Sequence, residues 1–254
     1  MKTVLKYVML SALRDKFFLG LFIAIISIFG VSNLIGFTAT TEESLMQSVI
    51  FGGTFRLILI FGMIIFICFH INKSYENKEI SFILSKDISR EKFLLSYWIS
   101  FNLIALSLLL FFLLIFLCFC EYNLLGTLQW VVSVLFEIML ITMFSILASF
   151  VLQSAVFSVF VSSGFYIVAR LMGFFININL ITGSSKIYNF FLELSQILSK
   201  AISALIPRLD LFGQTKWLIY GADFNIFKII TVQFFIYILI MFVMAFYDFR
   251  KKQF

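Results

Sequence analysis

Charged residues are scarce in this chain of 254 residues. They make up 13% of it, whereas 62% of the residues are hydrophobic and the mean hydropathy is +1.09. A soluble domain carries about a quarter charged residues, because its surface must stay hydrated. The composition therefore excludes a soluble globular protein, and membrane lipid is the expected surroundings of most side chains.

Proline, histidine and cysteine are scarce as well. The chain has one proline, Pro207, and one histidine, His70. Because a proline inside a helix costs about 3 kcal/mol, its near absence favours long unbroken helices. The three cysteines, Cys68, Cys118 and Cys120, lie in apolar runs and form no metal-ligand motif. We interpret them as small residues that face lipid or another helix.

Catalytic motifs are also missing. The sequence contains no His-Glu-x-x-His, no Gly-x-Ser-x-Gly and no phosphate-binding Gly-x-x-x-x-Gly-Lys-Ser/Thr loop. His70 lies at the end of the second apolar run, where we interpret it as an interfacial residue that reaches the headgroups. We therefore expect a chain that is not an enzyme, binds no metal or cofactor, and cannot hydrolyse ATP through such a loop by itself.

Six apolar runs are long enough to cross a membrane as helices, since about 20 residues span a hydrocarbon core about 30 Å thick. The runs cover residues 17–37, 53–71, 93–120, 128–152, 155–176 and 226–247. The first run is too long for the apolar part of a secretory signal, and no convincing cleavage site follows it. The sequence predicts an all-α membrane protein, a single transmembrane domain over residues 1–254 with six transmembrane helices.

Basic residues indicate how the helices are oriented. Lysine and arginine are frequent before the first run, between the second and third, and after the last, whereas the first two opposite loops carry Glu42, Glu43 and Glu121. Because basic loops stay in the cytoplasm, we expect both termini and residues 72–92 to be cytoplasmic. Residues 177–225 should then be external; their mixed charge weighs little, since long translocated loops contribute little to the rule.

Two segments outside the apolar runs have a helical period. Residues 1–16 place Val8 and other apolar residues opposite Arg14, which predicts an interfacial helix. Residues 187–205 repeat apolar side chains at intervals of three and four, which predicts an external amphipathic helix that ends before Pro207. A simple interfacial anchor is the alternative role for each.

Among the charged residues of the apolar runs, the candidates for a functional role are Glu137, Arg170 and Arg56. Each would cost several kcal/mol facing lipid, so each should face protein, water or an interface. Glu137 and Arg170 have two interpretations: they pair between neighbouring helices and fix the packing, or they take part in a transport path. Arg56, near the external start of its run, is expected to extend to the headgroups.

The cytoplasmic segment between the second and third runs contains ENKEISFILSKDISR at residues 76–90. It resembles the coupling helix of type-2 ABC exporter permeases, in which a glutamate is followed by a Gly-Thr-Leu-type turn, a Leu-Leu pair and then Pro-Ile/Val-Ser-Arg. The matching residues are Glu76, Ile83, Leu84, Ile88, Ser89 and Arg90. Lys78 and Glu79 stand in place of Gly-Thr, and Asp87 replaces the proline.

A second similarity lies before the last run. Residues 205–212, LIPRLDLF, and 217–221, WLIYG, resemble the external segment of the short permeases in that family. The resemblance implies the permease subunit of an ATP-driven exporter in the cytoplasmic (inner) membrane. Its partners would be a second copy or homologue and two separate ATPase subunits, which bind the ATP.

The resemblance also implies which residues contact the ATPase. These are the six matching residues and the apolar Ile80, because an amphipathic helix is suited to a groove on a partner. The alternative for this segment is an ordinary hydrated, basic loop that only satisfies the topology.

Two other functions stay open from the residues. An ion-gradient-driven secondary transporter would need broken helices or several intramembrane carboxylates, and Glu137 is its one support. A non-transporting membrane scaffold subunit is the second. No nucleic-acid partner is expected, and the sequence indicates no particular substrate.

Overall fold

The computed structural model describes residues 2–14, 16–38, 43–80, 89–178 and 206–251. Within these ranges the regular structure is helical and contains no strand. The helices are α1 (Lys2–Arg14), α2 (Lys16–Gly36), α3 (Glu43–Glu76), α4 (Arg90–Phe119), α5 (Leu124–Leu152), α6 (Ala155–Ile178), α7 (Trp217–Tyr220) and α8 (Phe224–Lys251), with a 3-10 turn at Leu209–Leu211.

Six of these helices, α2 to α6 and α8, are long and apolar enough to cross a membrane. The prediction of an all-α, multi-pass membrane protein is confirmed at this level. Several helices extend past the apolar runs: α3 has 34 residues. At 1.5 Å per residue it is about 51 Å long, which exceeds a hydrocarbon core of about 30 Å. Its polar ends, Glu43 and Glu76, therefore lie outside that core.

Helices α3 and α5 form the centre of the bundle. In the most apolar stretch of each, 61% of the residues are buried, compared with 22% in α2 and 33% in α8. Helix α3 packs against α2, α5 and α6, and α5 also packs against α8. The outer helices consequently expose long apolar faces, which are suited to lipid or to a neighbouring subunit.

Aromatic rings fill the space between the central helices and α4. The rings of Phe55 and Phe112 stack with centroids 3.9 Å apart, and Phe51 lies 4.7 Å from Phe112. Trp130 of α5 completes the cluster, 5.5 Å from Phe112. Aromatic pairs contribute about 0.5–1.5 kcal/mol beyond the area they bury. Packing therefore explains part of the high phenylalanine content, 36 of the 254 residues.

Residues 206–223, which we call the inserted segment, enter the bundle. Four of its apolar side chains, Leu209, Phe212, Trp217 and Leu218, are at most 1% exposed. The amide of Asn123, just before α5, donates to the Leu218 carbonyl at 2.8 Å.

The backbone of α5 touches the inserted segment directly. A Cβ added at Gly126 would lie 1.8 Å from the Trp217 carbonyl oxygen, so no larger residue fits this crossing. Of the expected external segment, 177–225, the structure describes residues 177–178 and 206–225. The expected amphipathic helix at 187–205 lies outside the described residues.

Candidate functional site

A buried ion pair joins the two central helices. Arg56 of α3 and Glu137 of α5 are 3% and 0% exposed. The Arg56 Nε donates to Glu137 Oε2 at 2.7 Å, and its Nη2 donates to Oε1 at 2.5 Å. Two parallel bonds of this kind suit the planar guanidinium and carboxylate best. The pair therefore satisfies both charges, where either alone would cost several kcal/mol.

Both members of the pair lie deep in the bundle at the same level. Arg56 follows the first residue of α3, Glu43, by 13 positions, and Glu137 follows Leu124 of α5 by 13. At 1.5 Å per residue each lies about 20 Å along its helix. Because α3 and α5 begin on the same side of the bundle, their facing side chains meet at mid-helix.

The same arginine holds the inserted segment. Its Nη1 donates to the Gly213 carbonyl at 2.8 Å, and Trp130 Nε1 donates to that oxygen at 3.2 Å. The Gly213 amide donates to Ser133 Oγ at 2.9 Å. Gly213 has a φ of +50°, and an added Cβ would lie 3.0 Å from the Arg56 Cζ. Glycine is thus required by both the backbone angle and the close approach.

Arg170 of α6 binds the same segment from the other side. Its Nη1 donates to the carbonyl of Leu209 and, at 2.9 Å, to that of Phe212. Next to it, the Asp210 carboxylate accepts from Arg208 at 3.0 Å. A Cβ added at Gly173 would lie 2.3 Å from Asp210 Oδ2, so α6 approaches the turn closely.

We call Arg56, Glu137, Arg170 and the three carbonyls they bind the arginine cluster. Two expectations for it are corrected. Glu137 pairs with Arg56 and not with Arg170, because both carboxylate oxygens accept from the Arg56 guanidinium while Arg170 is bound to carbonyls. Arg56 does not extend to the headgroups, since burial beside Glu137 satisfies its charge inside the bundle.

The arginine cluster can act as a latch, that is, a set of hydrogen bonds that holds the inserted segment against the helices. Two guanidiniums bind three backbone carbonyls of one irregular segment, and the single carboxylate of the cluster neutralises one of them. Moving the inserted segment away from the helices would require these charge-assisted bonds to be exchanged for others. Each of them is stronger than a bond between neutral groups. The cluster thus ties α3, α5 and α6 to the inserted segment.

A second group of contacts lies at the end of the bundle where α1 meets the residues that follow α3. The Tyr7 hydroxyl of α1 donates to the Glu79 carboxylate at 2.7 Å. Partial burial, and then the hydrogen bond and charge of Glu79, raise the pKa of Tyr7 to about 12. Val8 and Ile80 are fully buried nearby. Helix α1 is therefore attached to the first residues of the segment between α3 and α4.

The far end of that segment is attached to the last helix. Arg90 Nη1 donates to the carbonyls of Phe249 and Arg250 at 3.1 and 2.9 Å, and Arg250 forms an ion pair with Glu91. Cations are favoured at a helix C-terminus, where carbonyl groups lack partners. Ser89 caps α4 through its carbonyl, which accepts from the Phe93 amide at 3.0 Å.

The structure describes four of the seven residues predicted to contact an ATPase. Glu76 is exposed at the end of α3, Ile80 is buried, and Ser89 and Arg90 begin α4. Ile83, Leu84 and Ile88 lie outside the described residues. The role of all seven in coupling stays a prediction.

Some residues of both sites gave no signal in the sequence. Tyr7 and Ser133 act through single hydroxyl bonds to partners 72 and 80 positions away. Gly213 could have been singled out, since glycine is the residue that most readily adopts the positive φ of a turn.

Comparison of the chain with protein-family models and with curated proteins finds no match.

Proposed function

We propose that this chain is the permease subunit of an ATP-driven ABC exporter in the cytoplasmic membrane, with both termini in the cytoplasm. It would act with a second permease, identical or homologous, and with two separate ATPase subunits. The observation that carries the proposal is the similarity of residues 76–90 to the coupling helix of type-2 exporter permeases.

The contacts at the two ends of this segment support the proposal. At its start Glu79 is bonded to Tyr7 of α1, and at its end Arg90 is bonded to the last turn of α8. A force applied to this segment would reach α1 and α8 through these two contacts, and α3 and α4 through the chain itself. This is the arrangement that a chain driven by an external ATPase needs.

Helix α1 is consistent with the same role. Tyr7 and Leu10 are 39% and 43% exposed, whereas Val8 is buried against the bundle. In the proposal α1 lies at the cytoplasmic interface, where an exposed aromatic ring and lysine side chains suit the headgroup region. The coupling helix would lie within residues 76–90, and residues 187–205 would form an external amphipathic helix.

The arginine cluster would then have a gating role. It latches the inserted segment to three helices about 20 Å along α3 and α5 from their first residues, which in this orientation lie on the external side. Opening a route between two permeases towards that side would move the segment away from α3, α5 or α6. ATP-driven motion would supply the energy to exchange the latch bonds.

The ion-gradient-driven alternative depended on Glu137 as a carrier of protons or ions. Both oxygens of Glu137 accept hydrogen bonds from Arg56, and the residue is fully buried. A coupling carboxylate must be accessible to the transported ion, so the structure gives this alternative no support.

The test replaces the apolar pair Ile83 and Leu84 of the segment in the assembled transporter. The double variant Ile83→Ser with Leu84→Ser should insert and assemble but lose stimulation of ATP hydrolysis by substrate, because apolar contacts in a groove are removed. Ser85→Ala, in the same segment, is the matched control and should retain stimulation. Wild-type coupling in the double variant would refute the assignment.

A further inference from the structure

A large cleft opens beside α1, between the start of α2 and the end of α3. Its volume is about 1250 Å³. The lining residues of α3 lie on one helical face and include Phe66, Phe69, Lys73 and Glu76. Their spacing of three and four residues means that they follow one another along the helix axis. The side chains that line the cleft therefore follow one another in a fixed order from the interior of the bundle outward.

The innermost part of the cleft is apolar and aromatic. Phe17 of α2 stacks on Phe66 with centroids 6.4 Å apart, and Ile65 lines the same wall. Phe69 is 53% exposed, although it lies in a helix that is mostly buried. A wall of this kind in a membrane protein accommodates an acyl chain.

Cations form the next level. Lys73 follows Phe69 by one helical turn, and Arg14 and Lys16 contribute from the end of α1 and the start of α2. All three are exposed, and none forms an ion pair with a carboxylate among the residues described. Basic side chains grouped between helices at the membrane surface bind lipid phosphates.

Carboxylates form the outermost level. Glu76 is about 4.5 Å beyond Lys73 along the axis, at 1.5 Å per residue. Glu79 also lines the cleft, and its carboxylate accepts a hydrogen bond from the Tyr7 hydroxyl. Glu76 has no hydrogen-bond partner within the described ranges. This outer level attracts a group with positive charge and N–H donors.

We propose that this cleft binds an aminophospholipid, with its acyl chains along Phe66 and Phe69, its phosphate at Lys73, Arg14 and Lys16, and its primary ammonium at Glu76 and Glu79. The order apolar, cationic, anionic matches the order acyl chain, phosphate, ammonium along such a lipid. A phosphatidylglycerol matches the first two levels only. A phosphatidylcholine brings the charge but has no N–H to donate. The proposal requires only that the chain spans a membrane and is independent of ATP coupling.

The test measures lipid retained by the purified full-length chain. The chain is delipidated in mild detergent, equilibrated with equal amounts of phosphatidylethanolamine, phosphatidylcholine and phosphatidylglycerol of identical acyl chains, and analysed by native mass spectrometry. Retained phosphatidylethanolamine should exceed each of the others by about two- to fivefold, the range expected for one or two partly exposed charge contacts. Equal retention of the three lipids would overturn the proposal.

Two variants separate the levels. Lys73→Gln should lower retention of all three lipids, whereas Glu76→Gln should remove the preference for phosphatidylethanolamine over phosphatidylglycerol and leave phosphatidylglycerol bound. Lys6→Gln, on an exposed position of α1 that does not line the cleft, is the matched control and should change nothing. An equal effect of Lys6→Gln and Lys73→Gln would show general attraction to the surface, and an unchanged preference in Glu76→Gln would contradict the ammonium site.

Discussion

Removing one member of the buried ion pair should destabilise the bundle more than removing both. Arg56→Met leaves the Glu137 carboxylate, which is 0% exposed, without its guanidinium partner. Breaking a buried pair in this way costs about 3–5 kcal/mol. Glu137→Met leaves the Arg56 guanidinium uncompensated and should cost about the same.

The double variant has neither the unpaired Glu137 carboxylate nor the unpaired Arg56 guanidinium. Its remaining loss is the bond from the charged Arg56 guanidinium to the Gly213 carbonyl, about 1.5–3 kcal/mol, and that carbonyl still accepts from Trp130. The double variant should therefore be more stable than either single variant. The coupling free energy between Arg56 and Glu137 is then several kcal/mol, well above the ~0.5 kcal/mol expected of independent sites.

The assay is equilibrium unfolding in mixed micelles with increasing denaturing detergent, followed by the fluorescence of the buried Trp130 and Trp217. A second cycle with Arg170→Met and Glu137→Met should give a much smaller coupling, because Arg170 is bonded to carbonyls. Glu121→Gln, at an exposed position, is the control for losing a carboxylate. Additive losses for Arg56 and Glu137, or stronger coupling of Glu137 to Arg170, would refute the reasoning.

Two further predictions concern packing and pH. Gly126→Ala should destabilise the protein by about 1–3 kcal/mol or more in the same unfolding assay, because the new Cβ collides with the Trp217 carbonyl; Gly164→Ala, which meets nothing within 4 Å, should be neutral or slightly stabilising. The pKa of Tyr7 is raised from 10.0 to about 12 by burial and then by Glu79, so its stabilising effect is complete below pH 10 and is lost as the pH rises towards 12. Tyr7→Phe should weaken this loss of stability between those pH values; an identical alkaline profile in both proteins would show that the Tyr7 contact does not contribute.

The number and approximate position of the spanning helices could be predicted from the sequence, because hydropathy is a local property. The backbone N–H and C=O groups of each apolar run must be hydrogen-bonded within a helix in the membrane, whatever its neighbours. The ends were less certain: α3 continues to Glu43 and Glu76, well beyond the apolar residues 53–71. Polar residues can continue a helix once it reaches water, so hydropathy does not indicate where it stops.

The partner of Glu137 could not be predicted, because pairing depends on which helix faces meet. Arg56 and Arg170 were both available in the apolar runs, and the sequence favours neither as a partner. The depth of Arg56 gave a misleading signal, since a residue near the start of the apolar run 53–71 is expected to extend outward. Helix α3 begins ten residues earlier than that run, so Arg56 lies well inside the bundle.

The inserted segment was also missed as a buried element. Its apolar residues, among them Leu209 and Phe212, are equally consistent with contact at the membrane surface. Burial became possible because Gly126, Gly173 and Gly213 allow backbone and side chains to approach closely. Such contacts join residues far apart in the chain, and a single sequence does not reveal them.

The most direct test of the central claim is the composition of the complex that this chain forms. The full-length chain, tagged at one terminus, is purified in mild detergent and the intact complex is weighed by native mass spectrometry. The account predicts two permease chains together with two copies of an ATPase that contains a Gly-x-x-x-x-Gly-Lys-Ser/Thr loop. Consistent recovery of the chain without any such ATPase, from membranes in which it is correctly inserted, would contradict the account.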